Sequence, residues 1–148
     1  MRDLPAQEYL GKRFTSGLGS VASDVQAAFA GLYDRIRASG AAPTGPPFLV
    51  ASQLTLRGKM EIEVGAPCAP VPGPDEGQHR GRLEAGEAAV AVFRGPYDQI
   101  GPVYTALYEW ALRSDRPPAG PPREVYLNSP DEVEGPADYL TEVVLPIA

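Results

Sequence analysis

The sequence predicts an α+β fold of two duplicated strand–helix–strand–strand units that form one antiparallel sheet, with two helices on one face and a cleft on the pseudo-two-fold axis. Three observations predict it. Two segments have the apolar spacing of amphipathic helices, both are followed by Gly-Pro-Pro, and each Gly-Pro-Pro precedes an apolar strand. When Leu32 is aligned with Leu107, Gly45 falls on Gly120 without a gap. An internal duplication is the simplest explanation of this correspondence.

The first unit covers about residues 8–67 and opens on a weakly patterned strand, Glu8–Phe14. A helix is predicted from about Ser20 to Ser39, because its apolar residues recur at the spacing of one helix face. Ser20 or Ser23 can cap its start, and Gly40 follows as a stop signal. The apolar face consists of Val21, Val25, Ala28, Phe29, Leu32 and Ile36.

A β-hairpin completes the first unit. Phe48–Leu56 has the composition of a strand, and Arg57-Gly58 is typical of a tight turn. Lys59–Val64 then alternates charged and apolar residues, which predicts a strand with one polar face. Glu63 lies on that polar face, where we expect exposure for it or for its neighbour Glu61.

Residues 68–85 connect the two units and are rich in Gly and Pro. They show no hydrophobic periodicity, so we expect a surface loop that includes the single histidine, His79. Because no second His or Cys accompanies it, neither a metal site nor a nucleophile–histidine pair is expected there.

The second unit covers about residues 86–147 and begins with an apolar strand, Glu87–Arg94. Asp98 is a candidate N-cap for a helix that runs to about Ser114, with Pro102 in its first turn. Turn-forming residues separate the two strands that follow, which are Glu124–Leu127 and Leu140–Pro146.

Composition narrows the class of protein. A length of 148 residues fits one domain, and a net charge of −6 disfavours a nucleic-acid partner, because phosphate binding needs a basic face. No apolar run is long enough to span a bilayer, and the first residues lack the apolar stretch of a signal peptide. We expect a cytoplasmic protein without a cofactor. Its acidic, aromatic composition suits a cationic or aromatic partner.

Six motifs occur in order over nearly the whole chain: TGPPF (44–48), MEIEVGAP (60–67), GPYD (95–98), YTALYEW (104–110), AGPPREVY (119–126) and TEVVLPI (141–147). Their order and spacing resemble the GyrI-like small-molecule-binding domain, which is also the effector-binding domain of multidrug-responsive bacterial transcription activators. The chain departs from the family where Leu49-Val50-Ala51-Ser52 replaces an aromatic or His after GPPF. No helix-turn-helix pattern is present, so we expect a stand-alone form.

The resemblance implies an aromatic cleft with a glutamate of the last strand, here Glu142, at its centre. In the activators this carboxylate attracts lipophilic cations. Matched positions of the two units, such as Glu63 and Glu142, are expected to face each other across the cleft, and the strand after Gly-Pro-Pro is expected to direct Tyr126 towards Glu142. The expected ligand-binding residues are Glu142, Tyr126, Trp110, Tyr108, Tyr104 and Phe48, although core packing is an alternative for the helix aromatics.

Two other functions remain open at this point. Some stand-alone family members are hydrolases that open the cyclopropane ring of DNA-alkylating antibiotics. In that case Glu142, with Tyr126 or Tyr104, would activate water. Another branch of the family binds DNA gyrase, and nothing in the sequence favours or excludes that partner.

Overall fold

The computed structural model confirms the α+β class and contains every predicted helix and strand in the predicted order, together with two further strands. The structure describes residues 2–17, 19–54 and 59–148. The elements in chain order are β1 (Arg2–Leu4), β2 (Gln7–Gly17), α1 (Val21–Ala38), β3 (Phe48–Leu54), β4 (Lys59–Pro67), β5 (Gln78–Leu83), β6 (Gly86–Arg94), α2 (Gly101–Arg113), β7 (Arg123–Tyr126) and β8 (Leu140–Pro146).

The chain divides into two compact units, which we call the N-unit (residues 6–84) and the C-unit (residues 85–148 with the N-terminal segment up to Pro5). Within the N-unit the strands are antiparallel in the order β3-β4-β2-β5. The C-unit has the antiparallel order β1-β6-β8-β7. No helix in the described ranges has both the length and the apolar character that crossing a bilayer requires.

One face of the N-unit sheet is covered by α1. The helix packs on β2 and β4 and buries Ala28, Leu32 and Ile36 there. Side chains alternate between the two faces of a strand, so Leu10 and Val64, both fully buried, face the helix. Tyr9, Glu63 and Phe48 share the opposite face, because the register pairs Phe48 with Gly65 and Tyr9 with Pro67.

In the C-unit, α2 packs against β6 and β8. Alternation along β8 turns Val143 and Leu145 towards the helix, whereas Glu142 and Val144 lie on the other face. The apolar core between helix and sheet is formed by Ala89, Ile100, Leu107, Ala111, Val143, Leu145 and Ile147.

The segment around each Gly-Pro-Pro makes the same contact in both units. The Thr44 N–H donates to the carbonyl of Pro67 at 2.9 Å, and the Ala119 N–H donates to the carbonyl of Pro146 at 2.8 Å. Gly45 and Gly120 follow these donors, and each glycine lies over the proline that ends the central strand of its own unit. The repeated motif therefore ties the end of each helix to the end of the central strand.

Three points of the sequence-based description need correction. Residues 78–83 of the predicted connector form β5, which pairs with β2, and His79 lies on that strand rather than in a loop. The short strand β1 was not predicted, because three residues carry no measurable periodicity. Asp98 is not a helix cap: it lies in a 3₁₀ turn, Tyr97–Gln99, and α2 begins after Ile100. The predicted Arg57-Gly58 turn lies outside the described residues.

Close packing on the helix-free face of the N-unit leads to a stability prediction. A Cβ at Gly65 would lie 2.2 Å from Cζ of Phe48, whose side chain is 1% exposed and has no room to move. We expect Gly65→Ala to lower the free energy of unfolding by about 1–3 kcal/mol, the usual cost of overpacking. Gly86→Ala is the control, because a Cβ there meets nothing within 4 Å. Urea denaturation of both variants measures the difference, and equal stabilities would contradict the packing argument.

Candidate functional site

Strand β7 directs its side chains to both faces of the C-unit sheet. Glu124 pairs in register with Val143 and Tyr126 pairs with Thr141, so these residues share the face that α2 covers. Arg123 and Val125 point to the other face. A carboxylate is thereby placed between a sheet and a helix.

Two tyrosine hydroxyls hold the Glu124 carboxylate, one at each oxygen. Tyr104, on α2, donates to Oε2 at 2.7 Å. Tyr126, two residues further along β7, donates to Oε1 at 3.4 Å. In the described part of the chain no arginine or lysine forms an ion pair with Glu124. The carboxylate is therefore oriented by neutral donors, and no cationic side chain among the described residues compensates its charge.

Burial dominates the electrostatics of this group. Desolvation raises the pKa of Glu124, and the hydrogen bonds from Tyr104 and Tyr126 oppose that rise. Desolvation also raises the pKa of both tyrosines, and the nearby charge of Glu124 adds to it. The two hydroxyls thus stay protonated and remain donors at neutral pH.

Two more tyrosines extend the aromatic surface around Tyr126. Tyr97, in the 3₁₀ turn before α2, meets Tyr126 edge-to-face with ring centroids 5.3 Å apart. Tyr139, next to β8, stacks on Tyr97 with centroids 4.6 Å apart. We call Glu124 with Tyr97, Tyr104, Tyr126 and Tyr139 the Glu124 site. Aromatic faces beside an uncompensated carboxylate are the chemistry that holds organic cations in proteins.

Glu142, the glutamate favoured by the sequence, lies elsewhere in the C-unit. Its register partners are Val92 and Val125, which puts it on the face opposite to α2 and to Tyr126. The expectation that β7 directs Tyr126 towards Glu142 is therefore wrong. The Glu142 side chain is 12% exposed, and Nη1 of Arg2 lies 2.8 Å from its Oε1. Arg2 already pairs with the charge of Glu142, whereas the donors on Glu124 are neutral hydroxyls.

The other predicted site residues are dispersed. Tyr104 belongs to the Glu124 site and also packs against the C-unit core, as Trp110 does from its partly buried position. Tyr108 is 39% exposed on α2. Phe48 is buried in the N-unit, where it meets Tyr9 edge-to-face at 4.9 Å. Of the expected set, only Tyr104 and Tyr126 are brought together, because both donate a hydrogen bond to Glu124.

The N-unit holds a second partly buried carboxylate, Glu63, and its charge is compensated. Nε of Arg13 lies 3.0 Å from Oε2, Nε2 of His79 lies 2.8 Å from the same oxygen, and Tyr9 donates to Oε1 at 3.3 Å. Burial together with the charge of Glu63 raises the pKa of Tyr9 to about 12. An open groove of about 460 Å³ beside this cluster is lined by Arg13, Phe14, Thr15, Val50, Glu61, Ile62 and Glu63. His79 thus has a carboxylate partner that the sequence did not indicate.

Glu124 was overlooked in the sequence although a signal for it exists. It stands two residues before Tyr126 on a predicted strand, so alternation alone puts both on one face. A carboxylate that shares its face with a tyrosine proposed for a binding site is itself a candidate. Alternation along β7 could not predict that Tyr104 contacts Glu124, because Tyr104 lies on α2.

Comparisons with known proteins identify the fold. A model of the GyrI-like small molecule binding domain matches residues 1–148. No curated protein sequence matches. Among solved structures, the EcmrR C-terminal domain matches with 18% identity and a TM-score of 0.85, over 99% of this chain and 94% of that chain. In the EcmrR–DNA complex the match, at 19% identity and a TM-score of 0.85, covers 99% of this chain and 55% of the EcmrR chain.

Two further structures are similar. SAV2435 bound to tetraphenylphosphonium is 14% identical, with a TM-score of 0.68 over 99% of this chain and 92% of that chain. A hydrolase encoded by lin2189 from Listeria innocua is 13% identical, with a TM-score of 0.69 over 99% and 90% of the two chains. At these identities the likenesses show a shared fold. The chain spans about half the length of the EcmrR chain in its DNA complex.

The raised pKa of Glu124 predicts how stability depends on pH. A carboxyl whose pKa is higher in the folded than in the unfolded state makes folding less favourable once it ionises. We expect Glu124→Gln to increase the free energy of unfolding at neutral pH. The gain should shrink as pH falls through the folded-state pKa and vanish below the ordinary pKa of glutamate. Urea denaturation at a series of pH values measures it, and a variant that is less stable than wild type at neutral pH would contradict the prediction.

Proposed function

Because the chain belongs to the GyrI-like small-molecule-binding domain family, we propose that it binds lipophilic cationic or aromatic small molecules at the Glu124 site. The observation that carries this proposal is the contrast among three partly buried glutamates. Arg2 pairs with Glu142 and Arg13 pairs with Glu63, whereas the donors on Glu124 are tyrosine hydroxyls. A buried charge without a counter-ion is costly, and a cationic ligand removes that cost.

The tyrosines supply the second part of the recognition. Tyr97, Tyr126 and Tyr139 form a contiguous set of rings next to the carboxylate. Burial of a ligand's apolar surface contributes about 25 cal/mol per Å², so apolar contact provides most of the affinity. Glu124 then selects for positive charge. The SAV2435 structure contains tetraphenylphosphonium, a cation of this class, which supports the choice of ligand.

Tetraphenylphosphonium therefore serves as the probe for this function. We expect Glu124→Gln to weaken its binding roughly tenfold or more, since loss of about 1.4 kcal/mol corresponds to tenfold. Binding of triphenylphosphine oxide, a neutral molecule with three of the four phenyl rings, should change much less. Isothermal titration calorimetry measures both affinities.

Glu142→Gln is the matched control for this experiment. It removes a carboxylate of the same unit that is already paired with Arg2. A larger loss of phosphonium affinity for Glu142→Gln than for Glu124→Gln would contradict the proposed site and restore Glu142 as the cation-binding residue. Lowering the pH supplies an independent check, because protonation of Glu124 should weaken the cation and leave the neutral probe unchanged.

A hydrolase is the second candidate, and one observation favours it. A carboxyl whose pKa is raised by burial, held by two tyrosine hydroxyls, has the properties of a general base for water. Incubation with a cyclopropane-bearing alkylator tests this activity by the appearance of a ring-opened, hydrated product. An enzyme forms product beyond one equivalent and loses this ability in Glu124→Gln. Capture that stops at one equivalent without hydration identifies a binding protein.

A further inference from the structure

Thr141 carries a buried hydroxyl that no described residue satisfies. The residue is 0% exposed, and its Oγ1 has no hydrogen-bond partner among the residues that the structure describes. Leaving a buried hydroxyl unpaired is unfavourable, and native proteins contain few such groups. Valine has nearly the same shape and would fill this position without that cost. Packing alone therefore does not account for a threonine here.

The position of Thr141 places it beside the Glu124 site. On β8 it pairs in register with Tyr126 of β7 and with Phe93 of β6, and all three side chains lie on the face that α2 covers. Glu124 occupies the diagonal position on β7, and diagonal neighbours in an antiparallel pair are roughly 7–8 Å apart. This spacing is short enough for one ligand molecule to reach both residues. A ligand held at the carboxylate can thus bring a second atom to Thr141.

We propose that Thr141 is a specificity determinant of the Glu124 site and that its hydroxyl donates a hydrogen bond to an oxygen atom of the bound ligand. This inference rests on the proposed function and narrows its ligand class to aromatic cations that carry an acceptor oxygen about one ring away from the positive charge. A purely hydrocarbon cation would leave Oγ1 unpaired. Sites that contain a buried polar group discriminate against ligands that cannot pair with it.

A matched pair of probes tests the proposal: tetraphenylphosphonium and (4-methoxyphenyl)triphenylphosphonium. They share one charge and four rings and differ by one methoxy group, which carries the acceptor oxygen. We expect the wild-type protein to favour the methoxy probe, and Thr141→Val to reduce the ratio of the two dissociation constants by roughly three- to tenfold, the contribution of one neutral hydrogen bond. Thr141→Ser keeps the hydroxyl and should keep the preference. Thr141→Ala provides a second hydroxyl-free variant if the valine variant does not fold.

The outcomes separate this inference from the proposed function. A preference that survives in both hydroxyl-free variants, or that is absent from the wild type, overturns the role of Thr141. If Glu124→Gln weakens tetraphenylphosphonium while the ratio is insensitive to residue 141, the cation site stands and only the role of Thr141 falls. Failure of both phosphonium probes to bind the wild type overturns the proposed function and this inference together.

Discussion

The hydrogen bond from Tyr104 to Glu124 joins α2 to β7 within the C-unit, and the candidate site depends on it. It fixes the direction of a carboxylate that would otherwise be an isolated charge next to an apolar core. The core itself is ordinary, with Leu107 and Ala111 of the helix packed on Val143 and Leu145 of the central strand. The polar contact at its edge is stabilised by that packing, because the helix has little freedom to move away. The rigid apolar core thus holds in place a carboxylate whose hydrogen-bond donors are neutral.

Three of the partly buried glutamates, Glu63, Glu124 and Glu142, show how partners, rather than residue type, decide what a carboxylate can do. Glu63 and Glu142 occupy equivalent places, each on the central strand of its unit and on the face away from the helix. Each is paired with an arginine. Such pairs neutralise charge and help to hold strands together. Glu124 lies on the helix side, where neutral tyrosines are its donors, so its charge remains available.

The two units share a scaffold and differ in what the scaffold presents. The hydrogen bond from Thr44 to Pro67 recurs as the bond from Ala119 to Pro146, so the chain enters β3 and β7 in the same way. After that entry β3 continues with Phe48-Leu49-Val50, and β7 with Arg123-Glu124-Val125-Tyr126. The polar residues of β7 convert an equivalent strand into one wall of a site. The difference that creates the site therefore lies in the side chains of β7.

The sequence by itself determined the α+β class, both helices and most strands, because apolar periodicity and Gly-Pro-Pro boundaries are local properties of the chain. It also singled out Tyr104 and Tyr126. The tertiary structure alone decided which glutamate these tyrosines contact, since that depends on the pairing of β7 with β8 and on the packing of α2. It likewise decided that Arg2, 140 residues away in the chain, neutralises Glu142. Charge compensation between residues so distant in the chain has no periodic signature, so only the folded arrangement reveals that, of these glutamates, Glu124 has no arginine or lysine partner among the described residues.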